Sequence, residues 1–158
     1  MSIKPLNILL ADDDMDDCTF FKQALIDFNI PTLLTTLQNG EQLMQLLSSI
    51  NKLNGLKSLP LPDMLFLDLN MPRKNGSECL SEIQQSNKLK KLPVIVFSTS
   101  YEKEVVNNLY QNGAHYFIRK PAEFSQLKKI IRKTVSFIAN GNTPERTREN
   151  FVISLQKG

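Results

Sequence analysis

The chain has 158 residues, 41% of them hydrophobic, which suits one well-packed domain and a short tail better than two domains. No apolar run approaches the roughly 20 residues of a membrane-spanning helix, and the N-terminus lacks the apolar core of a signal peptide, so we expect a cytoplasmic protein with no membrane partner. The net charge of +3 is modest, and the basic residues near the end follow the polar face of a predicted helix, so we expect no sequence-specific binding of nucleic acid.

Short apolar runs with the character of strands recur along the chain. They cover residues 6–11, 32–37, 64–69 and 94–98, and a fifth lies within 112–118 after a Gly turn. The third and fourth runs are too uniformly apolar for half-exposed strands, which favours a parallel sheet covered on both faces.

A segment with helical periodicity follows each run. These helices are expected from about residue 15, at 39–50, near 76–87, from Thr99 and near 123–139. Glu102, three residues after Thr99, completes a possible capping box, and Gly141 can close the last helix. Five strands alternating with five helices predict an α/β fold, a doubly wound (βα)5 sandwich around a five-stranded parallel sheet.

Polar side chains follow four of the five strands. Asp12 and Asp13 end the first strand, Asp68 ends the third, Ser98 ends the fourth and Lys120 follows the fifth. Each has an ordinary structural explanation alone, such as a helix cap for Ser98 or a solvated cation for Lys120. Because ligands of doubly wound sheets bind at the carboxyl ends of the strands, we expect these five residues to form one site.

The residue types restrict the chemistry of that site. The stretch ILLADDDMDD (8–17) places several like charges side by side, which requires a positive partner. His115, the one histidine, has no nearby ligand pattern, and Cys18 and Cys79 lack metal-ligand spacing, so zinc and a His-based triad are disfavoured and two buried thiols are expected. Clustered carboxylates favour Mg²⁺, and with a lysine beside them they can accept a phosphoryl group.

Four segments, LLADDD, LFLDLNMPRKNG, PVIVFSTS and FIRKP, occur in this order and resemble the receiver domains of two-component response regulators. The resemblance covers about residues 5–139 and implies a flavodoxin- or CheY-like fold. It also implies a regulator that takes a phosphoryl group from a sensor histidine kinase, and a signalling protein that catalyses only its own phosphorylation and dephosphorylation.

The resemblance assigns roles to the residues at the strand ends. Asp68 matches the phosphoacceptor and Lys120 the lysine beside it. Asp12 and Asp13 match the acidic pair of a Mg²⁺ site, in which Asp68 and the backbone carbonyl of Asn70 also take part.

Further positions match the switch of the family. Ser98 stands where threonine is commoner and retains the hydroxyl, and Phe117 stands where tyrosine is frequent and is expected to turn from an outward to an inward rotamer. Pro121 matches a proline that is expected to be cis. Asp14 is a carboxylate that the family does not require, and we interpret it either as the cap of the helix beginning near Met15 or as a residue that supports the site from behind its ligands.

The remaining features concern partners. DLNMPRKNG and the long 51–63 connection resemble stand-alone regulators of phytochrome-type sensor kinases. We expect a receiver domain at 1–140 and a tail at 141–158 without an effector domain. The tail is either a partly disordered terminus or, through FVISL, packs on this chain or a neighbour. Output then goes to an unknown downstream protein or a homodimer, through the face of the fourth helix, fifth strand and fifth helix, where Tyr110 and Tyr116 are expected as aromatic anchors.

Two other functions could use the same residues. ILLADDD also fits a haloacid-dehalogenase-type phosphatase with Asp12 as nucleophile and Asp14 as acid/base, but the second strand ends in Leu37 without the expected hydroxyl, no Gly-Asp pair follows the fourth strand, and Asp68 would have no role. In a receiver-fold scaffold without phosphorylation, the clustered charged residues would repel one another and would serve no function.

Overall fold

One parallel sheet forms the centre of the protein. The computed structural model describes residues 4–52, 61–141 and 146–155, with residues 51 and 52 described by their backbone. The strands are β1 Leu6–Ala11, β2 Thr32–Leu37, β3 Met64–Leu67, β4 Val94–Ser98 and β5 Tyr116–Arg119. They pair in the order β2-β1-β3-β4-β5, every pair parallel. The predicted (βα)5 sandwich is therefore confirmed.

Helices cover both faces of this sheet. They are α1 Met15–Ala24, α2 Gly40–Lys52, α3 Gly76–Gln84, α4 Lys103–Gln111 and α5 Phe124–Ala139. Side chains alternate along a strand, so Ile8 and Leu10 of β1 pack with α1 and α5, whereas Leu9 and Ala11 pack with α2, α3 and α4. Both faces of the central strands are thus buried, which explains their uniformly apolar sequences.

The start of α4 differs from the sequence prediction. The helix begins at Lys103, four residues after the predicted start at Thr99, and Glu102 occupies the N-cap without a side-chain capping bond. The amide of Ser100 donates a hydrogen bond of 3.2 Å to the Ser98 hydroxyl instead. This local bond holds the chain in a turn after β4, so the predicted capping box is wrong.

The sequence also predicts two glycine turns, a long connection and the form of one peptide bond. Gly113 has φ +95°, which supports the predicted glycine turn before β5, and Gly141 with φ +67° follows α5 as expected. The 51–63 connection lies largely outside the described residues. The peptide bond before Pro121 was expected to be cis, but the described residues contain no cis peptide bond. That prediction is wrong, and the bond has the trans form that X–Pro bonds favour.

Residues 146–155, here called the C-terminal segment, pack along the outer edge of β5. The Phe117 amide donates to the Phe151 carbonyl at 2.9 Å, and the Ile153 amide donates to the Phe117 carbonyl at 2.8 Å. Phe151 is fully buried, with its ring centroid 5.4 Å from that of Tyr110. The segment therefore packs on this chain, and the disordered alternative is wrong for these residues. The boundary between a domain at 1–140 and a tail stays a prediction.

A helix that crosses a bilayer must be both long and apolar. Within the described ranges, no helix combines the length and the apolar character required to cross a bilayer.

Substituting Phe151 with alanine is expected to release the C-terminal segment from β5. A buried phenylalanine contributes about 3–5 kcal/mol, whereas the two edge hydrogen bonds contribute about 1 kcal/mol each. Amide hydrogen exchange followed by NMR is expected to speed up at Phe117 and Ile153 and to stay slow in the central strands. Phe20→Ala, at a position 41% exposed on α1, is the control. Unchanged protection at Phe117 and Ile153 in Phe151→Ala would contradict this account.

Candidate functional site

The carboxyl ends of the strands meet at one edge of the sheet, here called the carboxyl edge, and the backbone there fixes two aspartates. The Asp12 amide donates to the Leu37 carbonyl and the Asp68 amide donates to the Ala11 carbonyl, both at 2.9 Å. These bonds continue the sheet pairing by one residue beyond β1 and β3. Asp12 and Asp68 are therefore held as rigidly as the strands that precede them.

Three carboxylates form a cluster at this edge. Asp12, Asp13 and Asp68 each offer an oxygen, and these atoms lie within 4.8 Å of one another. Asp12 is fully buried and Asp68 is 6% exposed, whereas Asp13 is open to solvent. Hard oxygen ligands with one open side fit a divalent cation that keeps some of its water, so the donor set suits Mg²⁺. That the Asn70 carbonyl also belongs to this donor set stays a prediction.

Burial makes the ionised state of two of these carboxylates costly. It raises the pKa of Asp12, although a hydrogen bond from Lys120 opposes the shift. It also raises the pKa of Asp68 to about 6, with Lys120 opposing the shift and Asp12 adding to it. A cation bound beside them would favour the charged forms, which is the physical reason to expect a metal here.

Lys120 supplies one positive charge to this cluster, beside the cation that the sequence analysis predicts. Its Nζ lies 2.7 Å from Asp12 Oδ2 and 2.8 Å from Asp17 Oδ2, and 3.8 Å from Asp68 Oδ2. Burial alone lowers the pKa of Lys120, but the bonds to Asp12 and Asp17 outweigh it and raise that pKa to about 12. Its backbone is fixed as well, because the Lys120 amide donates to the Ser98 carbonyl at 2.8 Å. The ammonium group is therefore charged and firmly held at neutral pH.

Ser98 ends β4 and is fully buried. The register pairs Leu67 with Val96, so the end of β4 lies beside the end of β3, where Asp68 follows. The Ser98 hydroxyl accepts the Ser100 amide and does not cap α4, which begins five residues later. The structure thus places Ser98 at the carboxyl edge, and its role as a switch stays a prediction.

Phe117 lies inside the protein, and the outward rotamer expected for it is not the one present. Its side chain is fully buried, and its ring centroid is 5.9 Å from that of Tyr101. Phe117 belongs to the same buried cluster as Phe151, so the C-terminal segment covers the side of β5 on which it lies. Tyr116 is also only 6% exposed, so the expectation that it forms an exposed anchor is wrong.

Asp14 caps α1, as predicted. Its Oδ1 accepts the amides of Asp16 at 2.9 Å and Asp17 at 3.2 Å. A carboxylate engaged in this way neutralises the first turn of the helix. The arrangement argues against the phosphatase alternative, which needs Asp14 as an acid and base.

Ordinary hydrogen bonding and packing account for the histidine and the two cysteines. His115 Nδ1 accepts the Val94 amide at 3.1 Å, at the start of β4 and so at the opposite edge of the sheet. Cys18 and Cys79 are both buried free thiols, as expected.

Two residues of the site were given no role by sequence reasoning. Asp17 bonds directly to Lys120, and its one visible signal was its place in the acidic stretch, on the first turn of α1. Gly76 begins α3 beneath the loop that follows β3. A Cβ there would lie 2.4 Å from the Asp68 carbonyl oxygen and 2.8 Å from the Leu69 Cα. Any larger residue at position 76 would therefore displace the backbone of Asp68.

The family model and the relatives that match this chain agree with one another. A family model described as the response regulator receiver domain matches residues 8–132. Response regulator Rcp1 of Synechocystis sp. is 31% identical over 133 residues, which cover 84% of this chain and 88% of Rcp1.

Two solved structures are similar along nearly their whole length. The phosphorylated cyanobacterial phytochrome response regulator RcpA superimposes with a TM-score of 0.76 and 29% identity, covering 89% of this chain and 98% of RcpA. The Mn²⁺-bound form of Rcp1 gives a TM-score of 0.72 and 28% identity, covering 90% of this chain and 99% of that one.

The raised pKa of Asp68 leads to a prediction about stability. The folded protein binds the proton of Asp68 with a pKa of about 6, more tightly than the unfolded chain with its value of about 3.9. Keeping this carboxylate ionised therefore costs the metal-free folded state on the order of 2–3 kcal/mol at pH 7. Asp68→Asn avoids this cost and is expected to be more stable than the wild type at pH 7.

The sign of the pH dependence follows from the same shift. As the pH falls from about 7 to 4, the folded wild type takes up the proton before the unfolded chain does, so the advantage of Asp68→Asn shrinks. Urea denaturation with EDTA at pH 7 and 4.5 measures this change. Asp27→Asn, at an exposed aspartate, is the control and is expected to show little change. Equal stability of wild type and Asp68→Asn at pH 7 would contradict the prediction.

Proposed function

Because the chain belongs to the response regulator receiver domain family, we propose that Asp68 accepts a phosphoryl group from a sensor histidine kinase in a Mg²⁺-dependent reaction. The protein is a response regulator of phosphorylation-based two-component signalling. The observation that carries the proposal is the cluster of Asp12, Asp13 and Asp68 with the Lys120 ammonium beside it.

The proposed step is a displacement at phosphorus. An oxygen of the ionised Asp68 carboxylate uses an electron pair to form the O–P bond. The bond from phosphorus to the leaving atom of the donor breaks, and its electron pair departs on the leaving group, which is the imidazole nitrogen of a kinase histidine. Lys120 and the Ser98 hydroxyl donate hydrogen bonds to the phosphoryl oxygens, which stabilises the charge that they carry during transfer.

The metal site belongs to the same proposal. The side chains of Asp12, Asp13 and Asp68 and the carbonyl of Asn70 would hold Mg²⁺, and the metal would supply positive charge to the phosphoryl oxygens. The buried oxygens of Asp12 and Asp68 are fixed in advance by the sheet hydrogen bonds, so little ordering is needed on binding.

We propose that the protein is a signalling protein that catalyses only its own phosphorylation and dephosphorylation. The phosphatase alternative requires a free Asp14, which instead caps α1. The scaffold alternative leaves buried Asp12 and Asp68 without a use that offsets the cost of their burial.

The partner and its compartment are also proposals. RcpA is a phytochrome response regulator by its description, and its similarity supports a phytochrome-type kinase as the partner of this chain. The two free thiols support a cytoplasmic location, because the cytosol keeps thiols reduced. We propose no membrane partner and no specific nucleic acid.

Phosphorylation by a small donor tests the proposal directly. With Mg²⁺ and phosphoramidate, the protein is expected to gain one phosphoryl group, about 80 Da, in an acyl linkage that hydroxylamine cleaves. Intact mass spectrometry measures the gain and peptide mapping locates it. Asp68→Asn and EDTA are each expected to abolish it, whereas Asp27→Asn is the matched control and keeps it. A label mapped to Asp12 would contradict the assignment of Asp68 and favour the phosphatase chemistry.

We further propose that output passes through the face made by α4, β5 and α5, to a downstream protein or to a second copy of this chain. In the structure the C-terminal segment lies across this face. Arg148 Nε donates to Asn107 Oδ1 on α4, and Lys133 Nζ on α5 donates to the Ser154 carbonyl, both at 2.7 Å. A partner therefore binds over this segment or in its place.

Analytical ultracentrifugation with and without beryllofluoride tests this output. In the wild type, beryllofluoride on Asp68 is expected to shift the self-association constant by about 5- to 150-fold, the usual range of coupling between sites. Phe117→Leu keeps an apolar core residue but loses the ring, so it is expected to bind beryllofluoride with a much smaller shift. Asp68→Asn is the control that does not respond. An equal shift in wild type and Phe117→Leu would exclude Phe117 as the switch.

A further inference from the structure

Asp17 is a carboxylate at the carboxyl edge that binds Lys120 but has no part in the proposed reaction. It lies on the first turn of α1 with its side chain 29% exposed. It lies outside the three-carboxylate cluster of Asp12, Asp13 and Asp68. Its Oδ2 accepts a hydrogen bond of 2.8 Å from Lys120 Nζ.

The ammonium group of Lys120 divides its donors unequally among its neighbours. It has three N–H bonds, and two of them are directed to Asp12 at 2.7 Å and Asp17 at 2.8 Å. Asp68 Oδ2 is 3.8 Å away, beyond hydrogen-bond distance. The nucleophile of the proposed reaction is thus near the ammonium group without being bound by it.

This separation suits phosphoryl transfer. An ammonium bonded directly to Asp68 would hold the lone pairs that must attack phosphorus and would occupy the space that the phosphoryl group enters. A phosphoryl oxygen on Asp68 would lie two covalent bonds beyond the attacking oxygen, and Lys120 Nζ is 3.8 Å from Asp68 Oδ2. The remaining N–H bond can then reach that oxygen without a large movement, which is the arrangement that catalysis by preorganised charge requires.

Asp12 cannot maintain this position alone if it also serves the metal. Its carboxylate lies in the candidate metal cluster as well as beside Lys120. Asp17 has no part in that cluster, so its bond to Lys120 does not compete with metal binding.

We propose that Asp17 is a positioning residue for phosphoryl transfer, which holds the Lys120 ammonium off the Asp68 carboxylate and within reach of the incoming phosphoryl oxygens. This inference rests on the proposed function. The competing explanation is that Asp17 only stabilises the start of α1, as acidic residues in a first helical turn do. Asp16 lies in the same first turn and is exposed, so it provides a matched control.

The structural test compares crystal structures of the metal-free wild type and Asp17→Ala. Without Asp17, Lys120 Nζ is expected to move from 3.8 Å to hydrogen-bond distance of Asp68, about 2.8 Å. A Lys120 that stays in place in Asp17→Ala overturns the proposal, whatever the phosphorylation results are.

The kinetic test follows the mass gain with Mg²⁺ and phosphoramidate. Asp17→Ala is expected to label about tenfold more slowly than the wild type. Asp17→Asn keeps an oxygen that can accept from Lys120 and is expected to recover part of the rate, to within about threefold. Asp16→Ala is expected to label at the wild-type rate. The affinity for Mg²⁺, measured by calorimetry without donor, is expected to stay within about threefold in all three variants.

The outcomes separate the two proposals. A wild type that takes no label contradicts the proposed function, and the crystal structures then still decide whether Asp17 holds Lys120 away from Asp68. A wild type that labels together with an Asp17→Ala variant that labels as fast or faster overturns the positioning role alone. Equal losses of rate and of thermal stability in Asp17→Ala and Asp16→Ala also overturn it, because both residues then act only on α1.

Discussion

The ion pair between Lys120 and Asp12 is the interaction on which the rest of the site depends. It joins the residue after β1 to the residue after β5, across a sheet in which these strands are not neighbours. The Asp12 side chain is fully buried and that of Lys120 is 7% exposed, so neither charge is tolerable without the other. A buried ion pair adds little net stability compared with apolar residues, and its retention is better explained by the chemistry that the charges make possible.

Charge balance explains why the site requires ligands. Asp12, Asp13 and Asp68 share one cluster, and Lys120 supplies a single positive charge to it while also binding Asp17. Burial raises the pKa values of Asp12 and Asp68, so the metal-free site is electrostatically strained. That strain favours whatever brings positive charge, and a bound metal would keep Asp68, the proposed nucleophile, ionised.

Backbone hydrogen bonds connect this chemistry to the surface. Lys120 follows β5 directly, and its amide is bonded to the carbonyl of Ser98 at the end of β4. Three residues earlier, Phe117 is bonded to the C-terminal segment through both its amide and its carbonyl. A short, rigid strand therefore separates the proposed phosphoryl site from the segment that covers the α4–β5–α5 face. This continuity is a physical basis for coupling between them.

The sequence by itself determined the fold class, the order of the elements and that Asp12, Asp13, Asp68, Ser98 and Lys120 follow the strands at the carboxyl edge. Those properties follow from apolar periodicity and from the rule that parallel strands end at one edge, so they need no knowledge of side-chain packing. Only the tertiary structure decided where α4 begins, that Phe117 is covered, and that Asp17 binds Lys120. The last contact spans 103 positions of sequence, and it depends on how α1 packs beside α5. Local patterns carry no information on such distances, because the same acidic helix start is equally stable facing water.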